Sequence, residues 1–284
     1  MNRRYWLLVG LFLAAVALGL ASLPDAFAQF GGRRPYYDYT PPERDIFPGE
    51  SFTFCRLRYT SYRGSGRRRG WGGSWLTDYP ESDLNFSQRL SELTTIRVNR
   101  DADGNIKHAI VDLMEDELFN YPFLYMLEVG SLYFREEEAA RLRSYLLRGG
   151  FLMVDDFWGS AEWANWEREF SKVFPPEEYP MVDVPLDHEI FHIVFEVREV
   201  PQIPSIGFWA STGGETSERF EDSRVPVCKG VFDKKGRLMA VILHNTDLGD
   251  GWEEEAVNPQ YFEEFSAKKA YPLGINIVVY AMTH

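Results

Sequence analysis

Three polar clusters in the chain carry side chains that can hold a cation or move a proton. The first is the pair Asp155-Asp156, which closes the apolar run Phe151–Val154. The second is Asp187-His188-Glu189 with His192, in the segment VPLDHEIFHI. The third is His244-Asn245-Thr246-Asp247, followed by Asp250 and Glu253. Carboxylates and imidazoles brought together ligate divalent metals or share acid–base work. Asp155, Asp156 and His188 are therefore the candidate catalytic groups. Asp155, Asp247 and Asp250 are the candidate ligands for a divalent metal. Trp75, Trp158 and Asp247 are candidates for ligand contact, since indole rings suit sugar or protein surfaces.

Each cluster also has a plainer reading. Asp156 can cap the helix that begins near Ser160, or pair with an arginine of a neighbouring element. Asp247-x-x-Asp250-Gly251 is oxygen-rich, as calcium sites are, and equally matches a turn whose carboxylates bond their own backbone. His188 and His192 stand four apart, a spacing that aligns on a helix. Pro185 and the β-branched residues around them favour an extended or turn segment instead. No Gly-x-Ser-x-Gly or Gly-x-Cys-x-Gly elbow is present, and no zinc-type Cys/His spacing. STGGETS lacks the lysine and the strand–helix context of a phosphate loop. Asp101-Ala102-Asp103-Gly104-Asn105 begins like a calcium loop but lacks the later bidentate acid, so it reads as a tight turn. Cys55 and Cys228 lie in apolar, strand-like runs. They are buried thiols, or a disulfide if their Cα atoms come within roughly 7 Å.

The elements that must position these residues follow from periodicity. Phe52–Tyr59 alternates as a strand. Asp83–Thr94 has apolar residues at helical spacing, with Ser82 placed to cap it. Ile96–Val98, Ala109–Leu113 and Phe123–Val129 are strands. Arg135–Arg148 is an amphipathic helix that stops at Gly149-Gly150. Phe151–Val154 is a buried strand, and Ser160–Val173 a helix ended by Pro175-Pro176. Such alternation predicts an α/β fold, a three-layer sandwich around a mostly parallel sheet. Val225–Phe232 and Leu238–His244 flank a turn and predict a β-hairpin in the C-terminal third. Asn245–Glu253 reads as a polar loop, and residues 266–282 as a closing helix. In such sheets ligands bind at the carboxyl ends of the strands, where Asp155-Asp156 is expected.

Export is expected from the first residues. Arg3 and Arg4 precede the apolar stretch Trp6–Leu23, and Ala26-Phe27-Ala28 is a small-x-small cleavage site. Residues 1–28 are read as a signal peptide, 29–50 as a flexible linker and 51–284 as one domain in the periplasm. The alternative is an inner-membrane anchor formed by residues 6–23, the chain's one membrane contact if it stays uncleaved. The net charge of −13 excludes a phosphate-tracking nucleic-acid binder, which needs a basic face. The run Arg67–Arg69 is read as a solvated loop tip.

DYPESDLNFSQRLSELT (78–94), GGFLMVDDFWG (149–159) and PLDHEIF (185–191) resemble the bacterial domain of unknown function 4159 family, with LRSYLLRGGFLMVDD the most specific string. The family is similar in turn to the class I glutamine amidotransferase-like superfamily, which implies a flavodoxin-like fold. Where true amidotransferases carry a cysteine elbow, this chain has Asp155-Asp156-Phe157-Trp158, so the resemblance implies the fold and not glutamine hydrolysis. It also implies envelope partners of the MoxR-type ATPase and von Willebrand-type kinds. Two functions are expected on these grounds. One is a binding or assembly module of the cell envelope. The other is a hydrolase or carbohydrate-active enzyme with an acid/His site, with or without a metal.

Overall fold

The computed structural model describes residues 51–61 and 75–284. The signal at 1–28, the linker at 29–50, the run Arg67–Arg69 and Trp71 lie outside the described residues.

Alternating and continuous apolar runs give the strands, and helical spacing gives the helices between them. In chain order these are β1 (Phe54–Arg58), β2 (Thr60–Ser61), α1 (Glu81–Leu93), β3 (His108–Asp112), β4 (Phe123–Leu127), β5 (Leu132–Tyr133), α2 (Glu136–Leu147), β6 (Phe151–Asp155) and α3 (Gly159–Val173). There follow β7 (Val182–Asp183), α4 (Ile206–Thr212), β8 (Val227–Phe232), β9 (Leu238–His244), α5 (Leu248–Glu253) and α6 (Pro259–Tyr261). A π-helical stretch, Phe262–Ala270, leads from α6 into α7 (Tyr271–Thr283).

Seven strands form one sheet in the order β3-β1-β4-β6-β9-β8-β7. The first five run parallel, and β8 pairs antiparallel with both β9 and β7. β2 and β5 make a separate antiparallel ribbon. The chain leaves β1 for β3 on one side, then returns to place β4, β6 and β9 on the other. The order therefore reverses between β1 and β4, which is where such sheets open a crevice.

Successive side chains of a strand point to opposite faces, and each face has its own core. Phe123, Tyr125, Phe151, Met153, Val241 and Leu243 face α1, α5 and α7. Leu124, Met126, Leu152, Val154, Ala240 and Ile242 face α2 and α3. The three-layer α/β sandwich read from the sequence is the fold observed.

Several local expectations are corrected. Ile96–Val98 is not a strand; Val98 makes one isolated bridge to Phe52. Ser82 does not cap α1. The cap position is Pro80, and the Ser82 hydroxyl accepts from Arg56. Asp156 does not cap α3. Gly159 and Ser160 instead donate to Asn245 and Asp222. The expected loop Asn245–Glu253 contains the helix α5, capped by Asp247. The closing helix begins earlier than residue 266, with Asn258 accepting from the N–H groups of Gln260 and Tyr261. Cys55 and Cys228 are buried free thiols. They stand on β1 and β8 with three strands between, about 19 Å apart at ~4.8 Å per strand, so they form no bridge. The turn at Asp101 is as expected, its carboxylate accepting from the N–H groups of Asp103 and Asn105.

Candidate functional site

Three segments converge on one side of the sheet at its carboxyl end. β6 delivers Asp155 and Asp156, and the β9–α5 junction delivers Asp247 and Asp250. The third is the turn before α1, which brings Asp78. Asp155 continues the alternation of Phe151 and Met153 and so faces α5. Its Oδ2 accepts from the N–H groups of Leu248 (2.8 Å) and Gly249 (3.2 Å) and from Tyr125 Oη (3.2 Å). It thus serves the helix N-terminus, whose free N–H groups attract an anion. Its Oδ1 is buried and has no hydrogen-bond partner among the described residues. Asp247 Oδ1 accepts from the N–H of Asp250 at 2.8 Å. Trp158 Nε1 donates to Asp156 Oδ1 at 3.1 Å. Trp158 is buried, so it shields the acid and offers no open face to a ligand.

The turn carrying Asp78 is held by Arg56, a charged residue in the middle of β1. Its Nε and Nη2 bond the Asp83 carboxylate, Nη1 bonds the carbonyls of Trp75 and Thr77, and Nη2 also reaches Ser82 Oγ. All five guanidinium N–H groups are thereby used, and the rings of Tyr79 and Tyr125 lie against it. Gly249 completes the approach. A Cβ there would collide with Asp78 Oδ2 and lie within 3.0 Å of Tyr125 Oη.

Two sets of three acids emerge. One carboxylate oxygen each from Asp78, Asp156 and Asp247 lie within 4.8 Å of one another, and so do those of Asp78, Asp250 and Glu253. Asp78, Asp155, Asp156, Asp247 and Asp250 are all buried. Among the described residues no basic side chain pairs with Asp155, Asp156, Asp247 or Asp250. Burying a carboxylate without a counter-charge favours its protonated form. Burial pushes Asp155 up to about 7. Burial also raises Asp156, to which the charges of Glu128 and Asp78 add. Asp247 rises through burial and then Asp156, and Asp250 through burial and then Glu253. The backbone is strained here as well: Asp78, Glu128, Asp156 and Asn245 all have φ between 49° and 63°.

The structure thus brings together Asp155, Asp156, Asp247 and Asp250. It places the other sequence candidates elsewhere. His188 packs on Phe232 and Tyr280. Phe232 pairs with Leu238, the first residue of β9, so His188 lies at the opposite end of the sheet. His192 bonds the Leu186 carbonyl and Glu196. Trp75 is half-buried against the α2–α3 core. Sequence reasoning missed Asp78 and Arg56. A lone arginine between Cys55 and Leu57 in an apolar strand was the available signal for the second. For Asp78 the signal was its place at the head of the string DYPESDL.

No helix among the described residues is long and apolar enough to cross a membrane. No curated protein matches the chain. The family described as Domain of unknown function (DUF4159) matches residues 53–282. That span includes the whole sheet and every acid of the site, and the chain belongs to this family.

Proposed function

We propose that the protein is an exported binding module of the cell envelope that holds a divalent cation at the Asp78–Asp156–Asp247–Asp250 site. The observation that carries this reading is a buried convergence of carboxylates in which, among the described residues, Asp156, Asp247 and Asp250 have no basic partner. A hard cation supplies the missing positive charge. Oxygen ligands bind Ca²⁺ at roughly 2.3–2.6 Å, so two oxygens on one ion stand at most about 5 Å apart. Both three-acid sets meet that limit. The site holds no His or Cys, which favours Ca²⁺ or Mg²⁺ over Zn²⁺. The signal-like N-terminus supports export, and the acidic balance supports a protein partner over nucleic acid. The partners on this reading are envelope proteins of the MoxR-type ATPase or von Willebrand-type kinds that the family resemblance implies.

A hydrolase at the same place is the second reading, favoured by Asp155. A carboxyl group near 7 is tuned for general-base work at neutral pH, and a cation beside it would lower the pKa of a bound water.

The test is metal content of the purified protein, followed by thermal melts with added Ca²⁺, Mg²⁺ and Zn²⁺. A ligand that binds only the folded state at a hundredfold excess over its Kd adds about 2.7 kcal/mol. Calcium or magnesium should raise Tm in the wild type and not in Asp247→Asn. No bound metal and no shift with any of the three ions would refute the cation site.

A further inference from the structure

A cavity opens at the same carboxyl end of the sheet, on the face opposite the acids. It measures about 540 Å³ and lies between α3 and the β8–β9 hairpin. That is within the usual range of small-ligand sites, roughly 300–1,000 Å³. Alternation explains why it is separate from the acid site. His244 continues Ala240 and Ile242 and so faces α3, whereas Asp155 faces α5.

His244 is 7% exposed, and its ring packs beside the stacked pair Phe157 and Trp163, with centroids 4.7 and 5.0 Å away. Its Nε2 stands 3.1 Å from the Gly159 carbonyl. A carbonyl only accepts, so Nε2 carries the proton and donates. Burial keeps the ring neutral. Nδ1 is therefore a bare lone pair, and no protein group among the described residues bonds it. The cavity's other charges are mostly engaged. Asp222 accepts from Ser160 N and Oγ, Arg224 pairs with Glu221, and Lys229 pairs with Asp183. Glu167, on the cavity wall, has no ion pair among the described residues. The unclaimed groups are thus acceptors, His244 Nδ1 and the Glu167 carboxylate, beside the half-buried indole of Trp163.

A ligand for this cavity must bring hydrogen-bond donors and an apolar face. An anion would meet acceptors and cations already paired. A compact cation would sit on Glu167 but leave most of the cavity and the indole of Trp163 without a partner. A sugar ring has donating hydroxyls on its rim and a C–H face for the indole. We propose that this cavity binds a neutral saccharide, one ring stacked on Trp163 with hydroxyls donating to His244 Nδ1 and Glu167.

The experiment is titration of the full chain with glucose, N-acetylglucosamine, cellobiose and chitobiose, read by tryptophan fluorescence and calorimetry. Saturable binding of at least one of the four is expected. Trp163→Ala should weaken it at least tenfold, and Trp163→Phe less. His244→Gln, which retains a donor for the Gly159 carbonyl but moves the acceptor from the ring Nδ1 to an amide oxygen, should weaken it at least fivefold. Glu167→Ala alters an exposed side chain, so it keeps the test alive if a core variant misfolds; it should weaken binding about threefold. The proposal is overturned if none of the four sugars binds saturably. Unchanged affinity in Trp163→Ala or Glu167→Ala overturns it too, as does tighter binding of putrescine or inorganic phosphate than of any sugar.

Discussion

Arg56 is a full charge in the middle of an apolar strand, and its five hydrogen bonds fasten the segment that carries Asp78. Removing one partner of a buried ion pair leaves the other charge uncompensated, at about 3–5 kcal/mol. Arg56→Met should lose that much in urea unfolding, because Asp83 remains buried. Arg56→Met with Asp83→Leu should regain part of it. The acids behave differently. Asp247→Asn with Asp250→Asn removes buried charge while leaving a side-chain oxygen to cap α5. Without added cation the double variant should melt at or above the wild-type Tm, and the calcium-induced shift should vanish. Acids that served only as caps and ion pairs would give a lower Tm in all conditions. His244 supplies a pH signature. Burial pushes its pKa down to about 4 in the folded chain, against about 6.5 unfolded. Between these values the unfolded chain binds the proton and the folded one does not. The stability from a neutral His244 is thus full above pH 6.5 and is lost as pH falls toward 4, by up to about 3 kcal/mol. Asp222 faces the ring and limits that loss. Unfolding curves from pH 7 to 4.5 should show wild type losing more stability than His244→Gln.

At the scale of elements, the sequence shows what its periodicity encodes. The hairpin Val227–Phe232 and Leu238–His244, the strand ending at Asp155 and the helices α2 and α3 are all legible, because each has a repeating apolar pattern. Helix α5 is not. LGDGWE carries two glycines and no stripe, and it forms because Asp155 and Asp247 take its first N–H groups while Leu248 and Trp252 are buried. A carboxylate 93 residues away in sequence decides that helix. For the same reason the pairing of Asp78 with Asp247 could not be read in advance. α7 meets α5 at Gly274, where a Cβ would come within 2.6 Å of Trp252 and 2.9 Å of Phe86. Gly274→Ala should overpack this junction and cost about 1–3 kcal/mol in a thermal or urea melt.

For the whole molecule, a net charge of −13 and a buried acid cluster make different claims on salt. Mobile ions screen exposed charges within about 10 Å at 0.1 M and reach buried groups far less. Raising NaCl from 0.05 to 0.5 M should raise the Tm of the cation-free protein modestly. It should leave more than half of the calcium-induced shift in place; a shift abolished by 0.5 M NaCl would mean that calcium acts on the surface and not at the buried site.

The strand ends around the acids are also joined through their backbones. The N–H of Glu128 donates to the Asp156 carbonyl at 2.8 Å, and the N–H of Asp156 donates to the Thr246 carbonyl at 3.2 Å. These two amides span the tips of β4, β6 and β9, so neither can reach solvent until the tips separate. Their protons are clocks for that opening. In deuterated solvent their exchange rates measure how often the cluster comes apart, and slower exchange with an ion present would time its grip without any assay of activity.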